Sequence, residues 1–320
     1  MADGPGRSCP LDYQYGARSL AAPATLQVDT LWIAGGLYGN PEALARLLDL
    51  YESEKGDKAL VFNGDFHWFD VDARAFEQIQ RGVLGFDATR GNVETELAAA
   101  DAPAGVDAGC GCAYPEWVGD GVVERSNRIL GRLRDTARAM VGACDALQAL
   151  PMWRRIDVAD CRVAIVHGDA QSLSGWGFAQ ESLRDASARD AAARWFAQAQ
   201  VDVFASSHTC LPVFQAIGTG WLLNNGAAGM PNFSHAREGL LTRIATRPFV
   251  GPQRRFGVSR GGLHFDAIAI DYDHAAWQRD FLAQWPPGSD AHLSYASRIA
   301  DGPDYDLADA LRVDPAPTEA

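Results

Sequence analysis

Ala59-Leu60-Val61-Phe62-Asn63-Gly64-Asp65-Phe66-His67 is an apolar run that stops abruptly in a polar turn. Apolar residues followed by Asn-Gly-Asp read as a buried strand delivering a carboxylate to the tip of a sheet, where open α/β sheets place their ligands. Three further runs end in the same way. Val163-Ala164-Ile165-Val166 runs into His167-Gly168-Asp169, and Val201-Asp202-Val203-Phe204-Ala205 runs into Ser206-Ser207-His208-Thr209-Cys210. The stretch around Leu84-Gly85-Phe86 leads into Arg90-Gly91-Asn92-Val93-Glu94. Asp65, Asn92, His167 and His208 thus fall at four strand ends, and they are the ligand types of a hard-to-borderline divalent metal site. One such end carries little weight; four in one chain point to a site.

Composition sets the outer bounds. A chain of 320 residues with 47% hydrophobic residues and nine Trp can bury a large core, and α/β folds of this size often form one unit. The net charge of −13 argues against a general nucleic-acid surface, which needs clustered Lys and Arg. No apolar run approaches the roughly 18 residues of a membrane span, and Met1 to Gly6 lacks the basic and apolar regions of a signal peptide. A cytoplasmic location is the expectation, with Cys9, Cys110, Cys112, Cys144, Cys161 and Cys210 reduced.

Along the chain, residues 1–27 read as a Gly, Pro and Ala rich lead-in, 28–300 as one domain, and 301–320 as an acidic, partly ordered tail. Thr30-Leu31-Trp32-Ile33-Ala34 is the first convincing strand. Asn40-Pro41 then starts a helix as N-cap and first helical residue, with Leu44, Leu47, Leu48 and Tyr51 on its apolar face. Asp70 to about Gln80 reads as a second helix, Glu94 to Gly119 as a loop, and Val122 to Leu147 as the longest helix, so that residues of about 95–150 form an insertion. Ser174 to Gln200 holds one or two more helices. Trp221-Leu222-Leu223-Asn224 reads as a strand. The turn after it, Asn225-Gly226-Ala227-Ala228-Gly229, has amides that could face an anion. His264 to Asp271 alternates like a late strand. Internal repeats and a Pro/Gly/Ser linker are absent from the sequence, which favours a single domain.

In order and spacing, these residues resemble the calcineurin-like metallophosphoesterase superfamily. The resemblance runs from about Thr30 to Asp271. Gly64-Asp65, Gly91-Asn92-Val93-Glu94 and His167-Gly168 match three of the family's strand-end motifs, and Ser207-His208-Thr209-Cys210 keeps the first His of the last one. Asn225-Gly226-Ala227 resembles the turn that follows. The resemblance implies an α/β fold of two packed mixed β-sheets flanked by helices, with metal at the strand C-terminal ends. It further implies hydrolysis of a small-molecule phosphate mono- or diester by a metal-activated water, with Mn, Zn or Fe as the divalent ion.

The departures from the family pattern are equally specific. The first motif, Asp-x-His in the family, falls on Gly36-Leu37-Tyr38, and the last motif His falls on Cys210. Carried over residue by residue, one metal set is complete: Asp65, Asn92, His167 and His208. The other keeps only Asp65, with Tyr38 and Cys210 as substitutes. The family's optional His beside the Asn is Val93 here, so acid–base work falls to the nearest candidates, His67 and Asp169. Gly35 and Gly36 read as space for a bulky substrate group, Asn225 and Gly226 as phosphate-oxygen contacts, and His235 as a pocket residue. Three outcomes stay open: a hydrolase with one metal; a first site rebuilt with Cys210, Tyr38 and His67 or Cys110/Cys112 around a softer ion; or a non-catalytic scaffold on a degenerate fold.

Simpler local readings exist for each residue. Asp65 could cap a helix, His167 and His208 could be hydrogen-bonded core residues, and Asn92 a turn residue. Cys210 could be a small buried apolar side chain, and Cys110-Gly111-Cys112 lacks the partner cysteines of a zinc finger. What favours a site is their joint placement at strand ends. No phosphate-binding loop and no G-x-G-x-x-G is present to offer another chemistry.

Overall fold

The computed structural model describes residues 4–99 and 108–313. Two sheets form its centre. One has six strands in the order β11 (Arg254–Arg260), β12 (Leu263–Ile270), β10 (Gly239–Ala245), β2 (Thr30–Ala34), β3 (Lys58–Asn63) and β4 (Asp87–Thr89). The other has seven, in the order β1 (Leu26–Val28), β5 (Trp153–Val158), β6 (Cys161–Val166), β7 (Val203–Ser206), β9 (Gly220–Asn224), β8 (Val213–Ile217) and β13 (Leu311–Arg312). Both are mixed. β2, β3 and β4 run parallel to one another, as do β6, β7 and β9, while β10 is antiparallel to both of its neighbours.

Side-chain alternation explains why the key strands read as unbroken apolar runs. In β2 and β3, Leu31, Ile33, Ala59 and Val61 share one core with Val163, Ile165, Val203, Ala205 and Leu223 of the other sheet. Their sequence neighbours Trp32, Ala34, Leu60 and Phe62 face the opposite way, into a second core. Helices α1 (Pro41–Ser53), α2 (Ala73–Val83), α4 (Asp120–Ala139), α7 (His274–Gln284) and α8 (Asp290–Asp301) cover that second core. Ala164, Val166, Phe204 and Leu222 turn outward under α6 (Ala186–Ala199). A strand buried on both faces has no polar alternation to show.

The helix starts follow local capping chemistry. Asn40 accepts the Ala43 amide at 3.0 Å with Pro41 as first helical residue, and Asp72 accepts the amides of Arg74 and Ala75. The second helix therefore begins at Ala73, and Asp70 lies before it. Three expectations change. Glu94 is not in a loop: α3 (Asn92–Ala98) begins at Asn92, its entry fixed by the Glu94 carboxylate. The long helix is broken, because Gly142 is left-handed (φ 76°) and starts the separate α5 (Ala143–Gln148). The acidic tail is part of the fold up to residue 313. Tyr305 and Ala310 are buried, and β13 pairs with β8. The rest of that tail, 314–320, and residues 100–107 of the insertion lie outside the described residues.

The lead-in packs as well: Tyr13, Ala17 and Leu20 are buried. Among the described residues no helix is long and apolar enough to cross a membrane. None of the six cysteines is joined in a disulfide.

Candidate metal centre

β3 ends in two left-handed residues, Gly64 (φ 74°) and Asp65 (φ 54°). Left-handed backbone is unfavourable for Asp unless its surroundings hold it there. The surroundings are the Glu94 carboxylate, which accepts the backbone amides of Asp65 (2.7 Å), Gly91 (2.8 Å), Phe66 (3.0 Å) and His67 (3.3 Å). One buried carboxylate thus ties the end of β3 to the start of α3. The two loops touch so closely that a Cβ at Gly91 would lie 2.2 Å from Asp65 Oδ1. Position 91 must be glycine.

Asn92 opens α3 and His167 follows β6, so the topology brings both to Asp65. His167 Nε2 stands 3.2 Å from Asp65 Oδ2, 3.2 Å from Asn92 Oδ1 and 3.3 Å from His208 Nδ1. Two ligands of one ion at bond lengths of about 2.1 Å stand roughly 3.0–3.4 Å apart, so these separations are those of a coordination shell. The outward ring nitrogens are already assigned: His167 Nδ1 meets the Asn63 carbonyl at 2.9 Å, and His208 Nε2 meets the Cys112 carbonyl at 3.0 Å. A carbonyl only accepts, so these nitrogens carry the protons, and in the neutral rings the inner nitrogens present lone pairs. Four acceptors then aim at one point. That is an unfavourable arrangement without a cation and a ligand set with one.

The charges agree. Burial disfavours ionised Asp65, but His167 beside it outweighs this and holds the carboxyl below its ordinary range. Burial likewise works against a charged His167, and the Asp65 charge outweighs it, so His167 is raised. Burial, together with the neighbouring His167, pushes His208 down to about 4. The two shifts run in opposite directions, so of the two rings His167 holds a proton more readily than His208 in the metal-free cluster.

Tyr38 and Cys210, the substitutes expected at a second ion position, meet each other beside the cavity. The Tyr38 ring lies over Gly36, whose added Cβ would stand 2.2 Å from Tyr38 Cζ. The Tyr38 hydroxyl meets Cys210 Sγ at 2.6 Å. Burial raises both the phenol and the thiol, which favours the neutral form of each in the metal-free protein.

The remaining sequence candidates lie elsewhere. His67 is sealed in the core, stacked on Phe76 at 3.8 Å, with Nδ1 on Asp70 Oδ2 at 2.6 Å. Its ring does not line the cavity, because the chain dives inward after Asp65. Asp169 uses its carboxylate to accept the amides of Gln171, Ser172 and Gly177, which closes the loop after β6. Gly35 and Gly36 leave no substrate space: the Gly226 carbonyl crowds the first and the Tyr38 ring covers the second. The amides of Asn225 and Gly226 are spent on Ser206 O and Asn224 Oδ1. His235 is exposed on a turn where its amide meets Asp301 O.

A cavity of about 80 Å³ opens over the cluster, with Asp65, Asn92 and His208 in its floor and Trp68, Tyr114, Trp176 and Tyr295 in its walls. The sequence reading missed these walls, although Gly175-Trp176-Gly177 close after His167 was a visible signal. A larger hollow of about 360 Å³ lies at the other end of the sheets, beside Cys161, Trp221 and Phe265. It is remote from the ligand cluster, so size alone does not locate the chemistry.

No family model matches the sequence, and no curated protein matches it. Solved structures do. A hypothetical protein from Pyrococcus horikoshii is 14% identical with a TM-score of 0.59, covering 87% of this chain and 99% of that one. A metallophosphoesterase from Sphaerobacter thermophilus is 15% identical with a TM-score of 0.54, covering 86% of this chain and all 100% of that one. The chain has the calcineurin-like phosphoesterase fold, with two mixed sheets flanked by helices.

Proposed function

We propose that this protein is a metal-dependent phosphoesterase that works from one ion site, held by Asp65, Asn92, His167 and His208. The observation that carries the reading is the approach of three acceptor atoms to within 3.2–3.3 Å of His167 Nε2 at the floor of a cavity. Two imidazoles and two oxygen donors suit a borderline divalent ion such as Mn, Zn or Fe. Such an ion supplies Lewis-acid polarisation of a phosphoryl oxygen and lowers the pKa of a water within its reach.

The chain's own residues prepare the rest. The carbonyls of Asn63 and Cys112 fix both imidazole orientations, so no rotation is needed when the ion enters. The shift of His208 to about 4 keeps that ring neutral and ready to ligate across the physiological range. Glu94 holds the Asp65 and Asn92 loops in register. The aromatic walls narrow the access of water, which strengthens electrostatic interactions inside. Tyr38 and Cys210 line the same cavity as neutral proton donors.

On this reading Tyr38 and Cys210 take the place of a second ion, which separates it from a two-ion enzyme. Metal analysis of protein purified without chelator should find about one ion per chain. Asp65→Ala should abolish it and Cys210→Ala should keep it, with manganese-dependent hydrolysis of phosphate esters in the wild type. No ion after addition of manganese, zinc or iron would defeat the proposal and leave a scaffold on this fold.

A further inference from the structure

The cavity over the ligand cluster holds about 80 Å³. By that measure a water needs about 10–15 Å³, so the cavity has room for a phosphoryl group and several waters beside the cluster. With the phosphoryl group at the ligand cluster in the floor, the organic part of an ester points toward the aromatic walls and the mouth. There Trp117, 63% exposed, stands edge-on to Trp176 with ring centroids 6.2 Å apart. Trp176 is 5.9 Å from Tyr114 and 5.4 Å from the His208 ring. Its Nε1 donates to the Cys112 carbonyl at 2.9 Å, the acceptor that also orients His208. A chain of rings thus leads from solvent to a metal ligand, and Trp117 at its outer end is the most exposed tryptophan side chain in the structure. Exposed large apolar groups beside a cleft mark binding surfaces.

Charge narrows the class further. Among the described residues no Lys or Arg lines the cavity, and the acidic side chain that does is Asp65. Arg298, the nearby cation, spends Nη2 on the Cys210 carbonyl and Nε on the Pro231 carbonyl. A divalent ion combined with Asp65 leaves about one net positive charge, which matches a phosphodiester and under-compensates a dianionic monoester.

We propose that the substrate is a phosphodiester carrying a planar aromatic group, which stacks on Trp117 and Trp176 while the phosphoryl group enters the cavity. The phosphoryl half of this inference rests on the phosphoesterase reading; the aromatic half rests on the rings. Stacking of a planar group on an aromatic side chain is worth about ten-fold or more in affinity.

The test measures binding of two non-hydrolysable monoanions, diphenylphosphinate and dimethylphosphinate, to the manganese-loaded protein. Wild type should bind the diphenyl compound about ten-fold more tightly, and Trp117→Ala should erase that preference with metal content and melting temperature unchanged. Adenosine added as competitor separates the sources of the ring: displacement identifies a nucleobase, and no displacement identifies an aryl group. Equal binding of the two phosphinates, or a preference that survives Trp117→Ala, overturns the aromatic assignment. Tighter binding of the phenylphosphonate dianion than of diphenylphosphinate overturns the diester assignment. Because binding needs no turnover, an aromatic preference without hydrolysis of any ester refutes only the phosphoesterase reading. Equal hydrolysis of dimethyl and diphenyl phosphate refutes only the aromatic one.

Discussion

The ring of Tyr38 occupies the space that a side chain on Gly36 would need: a Cβ there would lie 2.2 Å from Tyr38 Cζ and 2.5 Å from the hydroxyl oxygen. The two residues are therefore one device. Glycine at 36 admits the ring, and the ring meets Cys210 through its hydroxyl. Loss of the first motif is a repacking around a tyrosine rather than an empty hole.

Gly36→Asp alone should consequently gain no metal. Its Cβ forces the buried Tyr38 ring aside, and overpacking of this kind costs about 1–3 kcal/mol. Denaturant midpoints should fall while metal content stays near one ion per chain. The triple variant Gly36→Asp, Tyr38→His, Cys210→His removes the ring and supplies the missing ligands, and it should bring the content to about two ions per chain. A triple variant that folds and still holds a single ion would show that the backbone around Tyr38 has moved too far to be restored.

Glu94→Gln tests the loop clasp. The carboxylate accepts four backbone amides, from Asp65, Phe66, His67 and Gly91. A carboxamide offers one acceptor oxygen and turns an NH₂ toward two of those N–H groups. Leaving buried donors unsatisfied costs about 1–3 kcal/mol each in the unrelaxed case, so a loss of at least about 2 kcal/mol in unfolding free energy is expected. Metal affinity should weaken with it, because Asp65 and Asn92 lose their common anchor. An unchanged melting temperature would mean that the loops hold themselves.

The metal-free cluster should bind its ion with a pH dependence set by His167. That ring is raised by Asp65 above the ordinary histidine value of about 6.5, while His208 sits at about 4. A ligating imidazole must be neutral, so below the raised pKa the incoming ion displaces one proton. The logarithm of affinity should rise with pH at a slope near one and flatten once His167 is neutral. Between pH 5 and that point His208 contributes no slope, since it is already deprotonated. Competition with a chelating dye across pH 5–8 measures this. A slope near two would mean that both rings are protonated, and a flat profile would mean that neither is.

Some of this was legible in the chain and some was not, for identifiable reasons. β3 and β6 could be read because both faces are buried, which leaves unbroken apolar runs ending in Gly64-Asp65 and His167. The gathering of Asp65, Asn92, His167 and His208 followed from strand ends alone. The fate of Tyr38 could not be read, since it depends on where Cys210, far along the chain, brings its thiol. Asn225 and Gly226 looked like free amide donors because the acceptors that use them, Ser206 O and Asn224 Oδ1, act through local turns that the composition does not reveal. β13 is two residues long and carries no periodicity, so Leu311–Arg312 resembled a tail until paired with β8. Trp176 was visible between two glycines, but its role depends on the Cys112 carbonyl that it shares with His208.

Asn63 should prove as important to the metal as the ligands themselves, though it contributes no ligand atom. Its carbonyl takes the Nδ1 proton of His167, and its side chain is wholly buried between the two sheets. Asn63 Nδ2 donates to Val166 O at 2.7 Å and Ser207 Oγ at 2.9 Å, and Thr89 Oγ1 donates to Asn63 Oδ1 at 2.9 Å. The side chain thus locks the strand end whose carbonyl aims the imidazole. Asn63→Ala leaves these partners unsatisfied and lets the carbonyl drift, which should destabilise the fold by about 2–4 kcal/mol. Outer-shell substitutions of this kind typically weaken metal affinity by about 10–100-fold. Measured at a temperature where the variant remains folded, affinity should fall within that range while the ion count at saturation stays the same. Wild-type affinity in folded Asn63→Ala would show that His167 is oriented by its ligand contacts alone.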